Sequence, residues 1–239
     1  MDYTKINSSS FGATKNESFD LGLRSYMIAV YKYMAIALAL TGAVAWFVST
    51  SPQLMAVLFS GPMSWLVILA PFVMVVFISS RFMKMSTEAV KISLWIYSAI
   101  MGISMASLFL LYTGESIART FFITSSVFGA MSIYGYSTKK DLTAYSSFFL
   151  MGLFGIVIAS LINMFMHSNA IMFVTSILGV IIFSFMTAYE TQNLKSIYYQ
   201  AGSESGATDK VAVFGALGLY LNFINLFIRL LYFFGDRRN

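Results

Sequence analysis

Two stretches of 48 residues, between Lys32 and Arg81 and between Asp141 and Glu190, contain no Asp, Glu, Lys or Arg. A water-soluble domain cannot tolerate such gaps, because its surface must be solvated along its whole length and about a quarter of its residues are charged. Here charged residues make up 10% of the 239, and hydrophobic ones 58%. A membrane-spanning helix needs about 20 apolar residues, so each gap holds two spans and a turn. Ser49-Thr50-Ser51-Pro52 and Ser60-Gly61-Pro62 punctuate the first gap, and His167-Ser168-Asn169 the second. Single spans fit between Lys91 and Glu115, Arg119 and Lys139, and Lys210 and Arg229. The chain therefore reads as an all-α integral membrane protein with seven spans, over residues 26–48, 63–80, 90–112, 118–136, 143–166, 170–190 and 211–234.

The same scarcity removes most enzyme chemistry. With no cysteine there is no thiol nucleophile, disulfide or thiolate metal site, and one histidine supports neither a His-cluster metal site nor a catalytic relay. No enzyme activity and no resident cofactor are expected. The net charge of +5 does not point to nucleic acid. Lys and Arg concentrate in alternate connections, which sets topology. Lys5, Lys15, Arg24 and Lys32 precede the first span; Arg81, Lys84 and Lys91 fill the second connection, Lys139 and Lys140 the fourth, Lys195 and Lys210 the sixth. The first and fifth connections have none, and the third has only Arg119. This places the N-terminus in the cytoplasm and the C-terminus outside. The terminal Asp236-Arg237-Arg238-Asn239 runs against the bias, so either the upstream charges override it or one stretch re-enters. Residues 1–24, with Ser8-Ser9-Ser10 and mixed charge, are expected to form a disordered cytoplasmic tail, and residues 25–239 the membrane domain.

Ionisable and amide groups at membrane depth are the candidates for function. Glu190 closes the sixth span. In the seventh, Gly215, Gly218, Asn222, Asn225 and Arg229 recur every three or four residues, one small and polar stripe expected to face the bundle interior. Arg81 ends the second span, either as a snorkelling anchor or as a latch for Glu190 on the same side. Asn163 is positioned to bond a neighbouring helix. Gly102 with Ala106, and Gly155 with Ala159, suit close helix contacts. Lys139-Lys140-Asp141 and His167 read as loop residues.

Several of these strings together resemble the bacterial branch of the Bax inhibitor family. Tyr112-Thr113-Gly114-Glu115-Ser116-Ile117-Ala118-Arg119 with Phe121-Phe122-Ile123-Thr124 is similar to its third connection. Phe128-Gly129-Ala130, then Tyr134-Gly135-Tyr136-Ser137-Thr138-Lys139-Lys140-Asp141-Leu142, continues the likeness. Ala188-Tyr189-Glu190-Thr191-Gln192-Asn193-Leu194-Lys195 is similar to the end of span six, and Leu219-Tyr220-Leu221-Asn222-Phe223-Ile224-Asn225-Leu226-Phe227 to the last span. The resemblance covers residues 20–235. It implies six helices around a central seventh, and a pH-sensitive calcium leak across a bacterial inner membrane. It also implies two facing acids, one ending span six and one inside span seven, whose hydrogen bonds change with an arginine of span two. Glu190 matches the first acid and Arg81 the arginine, but Asn222 stands where the second acid belongs. A carboxylate and an amide cannot share a proton as two carboxylates do, and calcium prefers several oxygens, carboxylates among them. Weaker calcium binding at Glu190 and a flatter pH response are therefore expected. The partners implied are the lipid bilayer and calcium or protons. An alternative role is that of a regulatory protein that restrains a membrane-anchored ATP-dependent protease, with the N-terminal tail as handle.

Overall fold

A computed structural model of the chain describes residues 21–200 and 209–238 in full, together with the helical backbone from Thr4. Of the tail expected over residues 1–24, only residues 21–24 fall in the fully described part, and they already belong to the first helix; the rest lies outside it. Seven long helices follow one another: α1 Thr4–Ser49, α2 Gly61–Arg81, α3 Thr87–Met105, α4 Gly114–Ser137, α5 Ser146–Met166, α6 Asn169–Ala201 and α7 Ser205–Phe234. All seven contain a stretch long and apolar enough to cross a membrane.

Local chemistry sets the boundaries. Ser86 opens α3 by accepting a hydrogen bond from the Ala89 amide at 3.2 Å, and Thr113 opens α4 by accepting from Ser116 at 3.3 Å. Before α2, Ser51 and Pro52 start a two-turn helix, Pro52–Leu58, inside the first connection. His167 ends α5 in the left-handed conformation, at φ 50°. Asn163, expected to reach another helix, instead caps its own: its Oδ1 accepts from the Ser168 amide at 2.8 Å. That bond satisfies a backbone donor the reversal of the chain would otherwise orphan.

Several spans differ from their sequence reading: α1 begins before residue 26, α3 ends at Met105 instead of 112, and α6 runs well past 190. Residues 170–190 mark only the apolar part of α6, which continues for another three turns to Ala201. The first charge ends a hydrophobic run, but backbone hydrogen bonding persists into water, so Glu190 lies within a helix rather than at its end.

In the bundle α7 is central. It packs against α1, α3, α4 and α6, while α2 leans chiefly on α3 and α5 on α6. The two outer helices turn large apolar side chains outwards, as with Phe72 and Phe165. The architecture is thus a seven-helix bundle with a central seventh helix, of whose six neighbours four form the inner ring. Between apolar helices in lipid there is no hydrophobic drive to associate, so close packing and buried hydroxyls hold the contacts. Gly102 of α3 sits against the Thr41 carbonyl and Val44 of α1; a Cβ there would fall 2.7 Å from that oxygen. The Thr41 hydroxyl, in turn, bonds the Tyr220 hydroxyl at 2.7 Å and lies 2.9 Å from the Ser98 carbonyl, pinning α1, α3 and α7 together. Gly155, by contrast, does not serve helix packing: a Cβ built there meets nothing within 4 Å.

The C-terminal residues return to the third connection. The Thr113 amide donates to the Asp236 carbonyl at 3.0 Å, and the Arg238 amide to Leu111 at 3.0 Å. Arg119 bonds both the Phe234 carbonyl (2.8 Å) and the Asp236 carboxylate (2.9 Å). Residues 236–238 therefore lie at the end of the bundle where α3 meets α4, opposite Arg81 and Lys139. Among the described residues all seven helices are long and apolar enough to cross, and Arg238 uses one guanidinium nitrogen on backbone: its Nη1 donates to Phe109 at 3.0 Å.

Candidate functional site

Along α6, Thr187 and Thr191 turn their hydroxyls back to the carbonyls four residues earlier, at 2.8 and 2.9 Å. This keeps polar side chains satisfied within the helix at membrane depth. Thr191 also meets the Tyr31 hydroxyl of α1 at 3.2 Å. On the neighbouring turn Ala188 presses against Gly135 of α4, where a Cβ would collide with the Ala188 carbonyl. The segment bearing Glu190 is thereby fixed from two sides.

Glu190 itself points at α7. A Cβ built on Gly218 would lie 2.7 Å from its Oε1, so the missing side chain of Gly218 is what admits the carboxylate. One turn towards the helix end, Leu194 fills the space left by Gly215 in the same way. One turn in the other direction, roughly 6 Å along the axis, lies Asn222. Its side chain is 9% exposed and makes no hydrogen bond among the described residues. Tyr26 of α1 closes the group: it is buried, its hydroxyl has no hydrogen-bond partner among the described residues, and it lies near enough to Glu190 for the two to interact electrostatically.

The cations predicted around this site are elsewhere. Arg81 is exposed at the end of α2, with neither a hydrogen bond nor an ion pair among the described residues. Arg229 lies beyond Asn222, its stem packed on Gly179 of α6 and its Nη2 3.4 Å from the Ser160 hydroxyl of α5. Asn225 donates back to its own helix at Leu221, 2.8 Å away, and faces a cavity between α2, α3 and α7. The ion pairs among the described residues are Lys91–Glu88 and Arg119–Asp236, so Glu190 has no counter-charge within salt-bridge distance. No group of three His, Cys, Asp or Glu gathers among the described residues. Among the described residues placed beside Glu190 above, the side-chain oxygens are its own carboxylate, the Asn222 carboxamide one turn from Gly218 and the Tyr26 phenol. That set supplies a single-carboxylate contact for a passing cation and falls short of the six to eight oxygens of a calcium cage.

Residues that the sequence did not single out complete the neighbourhood. Tyr26 carries no sequence signal, since a tyrosine in an apolar helix reads as packing. Gln192 was equally silent. Its Oε1 accepts from the Leu142 amide and its Nε2 donates to the Lys140 carbonyl, both at 2.8 Å, while Lys195 donates to Tyr136 at 2.5 Å. The Lys139–Asp141 loop is thus clasped to α6 two residues beyond Glu190.

Comparison with known proteins fits this arrangement. Residues 23–239 match the family described as inhibitor of apoptosis-promoting Bax1. The chain is 44% identical over 239 residues to protein RP147 of Rickettsia prowazekii, covering all of both chains. It is 42% identical over 219 residues to the inner membrane protein YbhL of Escherichia coli, covering 91% of this chain and 94% of that one. A relative from Caulobacter vibrioides is 41% identical over 230 residues, 92% of each chain.

Proposed function

Since the chain belongs to the Bax inhibitor family, we propose that it is a passive, pH-sensitive calcium leak of a bacterial inner membrane, with Glu190 as the ion and proton site and Asn222 as its neutral partner. One observation carries the reading. Glu190 is a carboxylate with no counter-ion among the described residues, seated against a glycine of the central helix, and such a group in a bilayer is costly unless used. Four cavities open among the described residues and neither Glu190 nor Asn222 lines them, so a path through this site runs where α6 parts from α7 at the Glu190–Gly218 contact.

A carboxylate attracts a cation only when ionised, so flux that uses Glu190 rises from acid to neutral pH. Arg81, without a partner among the described residues and on the same end of the bundle, serves as a latch only in another state of the protein. The test is calcium efflux from loaded liposomes containing the purified chain, from pH 5 to 8, beside Glu190→Gln. The wild type should leak above empty vesicles with a pH-dependent rate, and the variant should leak less and without pH dependence. Equal traces for protein-containing and empty vesicles across the range would end the proposal.

A further inference from the structure

The helices α1 and α4 leave a gap on the far half of the bundle, and the gap is a cavity of about 820 Å³. That volume is within the usual range for small-molecule sites, about 300–1,000 Å³. Its floor is the central helix, at Phe223, Ile224 and Phe227. Its rims, Trp46 on α1 and Phe122 on α4, are 62% and 69% exposed and face the bilayer. Two glycines shape the walls. Gly42 and Gly114 both line the cavity, and a Cβ built on either meets no atom within 4 Å. At the helix contacts the opposite holds, since a Cβ on Gly102, Gly135 or Gly218 would strike a neighbour. The small residues of this crevice therefore keep space open instead of closing a helix pair.

Chemistry differs along its length. The α1 residues lining it run from Leu38 to Thr50, a rise of about 18 Å. That is close to the depth of one leaflet, half of a hydrocarbon core about 30 Å thick, with its headgroup margin. The deep part is apolar. At the outer end stands Arg238, which spends one nitrogen on the Phe109 carbonyl and has no carboxylate within salt-bridge distance among the described residues. The Ser49 and Thr50 hydroxyls beside it are already bonded to the Trp46 and Phe47 carbonyls at 2.7 Å, leaving Arg238 as the free charge at the mouth.

We infer that this crevice is a binding site for one phospholipid, with an acyl chain lying against α7 between α1 and α4 and its phosphate held by Arg238. A guanidinium suits a phosphate by geometry as well as charge. A lipid also reaches the crevice laterally, without any path through water. The site is separate from Glu190 and stands whether or not that residue conducts ions.

Native mass spectrometry of the full chain, delipidated in detergent and titrated with dioleoyl phosphatidylglycerol, tests it. The wild type should retain one lipid per chain. Gly42→Phe and Ala118→Phe, which fill the crevice from its two walls, should each lower retention by roughly tenfold, as should Arg238→Gln, which removes the charge at the mouth. Val73→Phe, on the exposed face of α2, should bind as the wild type does. Equal retention by the wild type and both crevice variants overturns the inference, as does the absence of a one-to-one complex. A chain that sheds lipid but forms a dimer abolished by Gly42→Phe would assign the crevice to a second copy and overturn it too.

Discussion

At the scale of single residues, the contact between Glu190 and Gly218 is where chemistry and packing coincide. The carboxylate reaches α7 because Gly218 has no side chain, and Asn222 waits one turn away, buried and unbonded. Two acids at these positions would repel, and that repulsion separates their titrations. Asn222→Asp should therefore steepen the pH dependence of calcium efflux relative to the wild type in the same liposomes; an unchanged profile would show that the amide is not the reason for a flat response. Glu190, Asn222 and the stripe on α7 were all legible in the sequence, because polar residues in apolar segments have nowhere to hide. The partners were not legible. Tyr26 looks like any tyrosine in a membrane helix, and only the fold shows that its hydroxyl is unsatisfied and near Glu190. Arg81 illustrates the reverse, a residue whose sequence position suggested a latch and whose side chain is exposed and unpaired among the described residues.

Between elements, glycines separate into two kinds that composition cannot distinguish. Gly135 brings α4 onto the backbone of α6 at Ala188, whereas Gly129, two turns earlier on the same helix, has nothing within 4 Å of a built Cβ. Gly135→Ala should cost about 1–3 kcal/mol through overpacking against a backbone that cannot yield. Gly129→Ala should be neutral or stabilising by roughly 0.5–1 kcal/mol, from reduced chain entropy alone. Thermal unfolding of the two variants in one detergent measures the contrast, and equal shifts would refute it. The number and order of the helices followed from the spacing of charges. Their packing did not, because α2 and α5 are as apolar as the inner helices, and hydropathy carries no record of which apolar face meets protein and which meets lipid. For the same reason Gly155-Ala159 looked like a contact and is not one, and the extra turns of α6 beyond Glu190 were invisible to a criterion that stops at charge.

For the molecule as a whole, the distribution of Lys and Arg assigns a direction to a bundle whose two ends the structure distinguishes. One end carries Arg81, Lys84 and the Lys139–Asp141 loop clasped by Gln192. The other carries His167 and the C-terminal residues tied to Arg119. The absence of cysteine makes this measurable without background. In intact bacteria an impermeant maleimide should label Ser168→Cys and Arg238→Cys, and should reach Lys139→Cys only after the inner membrane is opened. Labelling of Lys139→Cys in intact cells would invert the assignment. Of the terminal arginines that break the charge bias, Arg238 bonds the Phe109 carbonyl and lines the crevice, while Arg237 lies over the Tyr232 ring.

Because α7 is the axis of the bundle and also the last of the seven spans to leave the ribosome, the ring must be laid down before the pillar it encloses. A nascent chain ending before residue 209 already contains α1 to α6, yet it lacks the surface that buries their inner faces. In that interval Glu190 has no Gly218 to rest against, and the Thr41 hydroxyl has no Tyr220. Until the final helix arrives, the inner faces of its four neighbours lack the surface that covers them in the finished bundle.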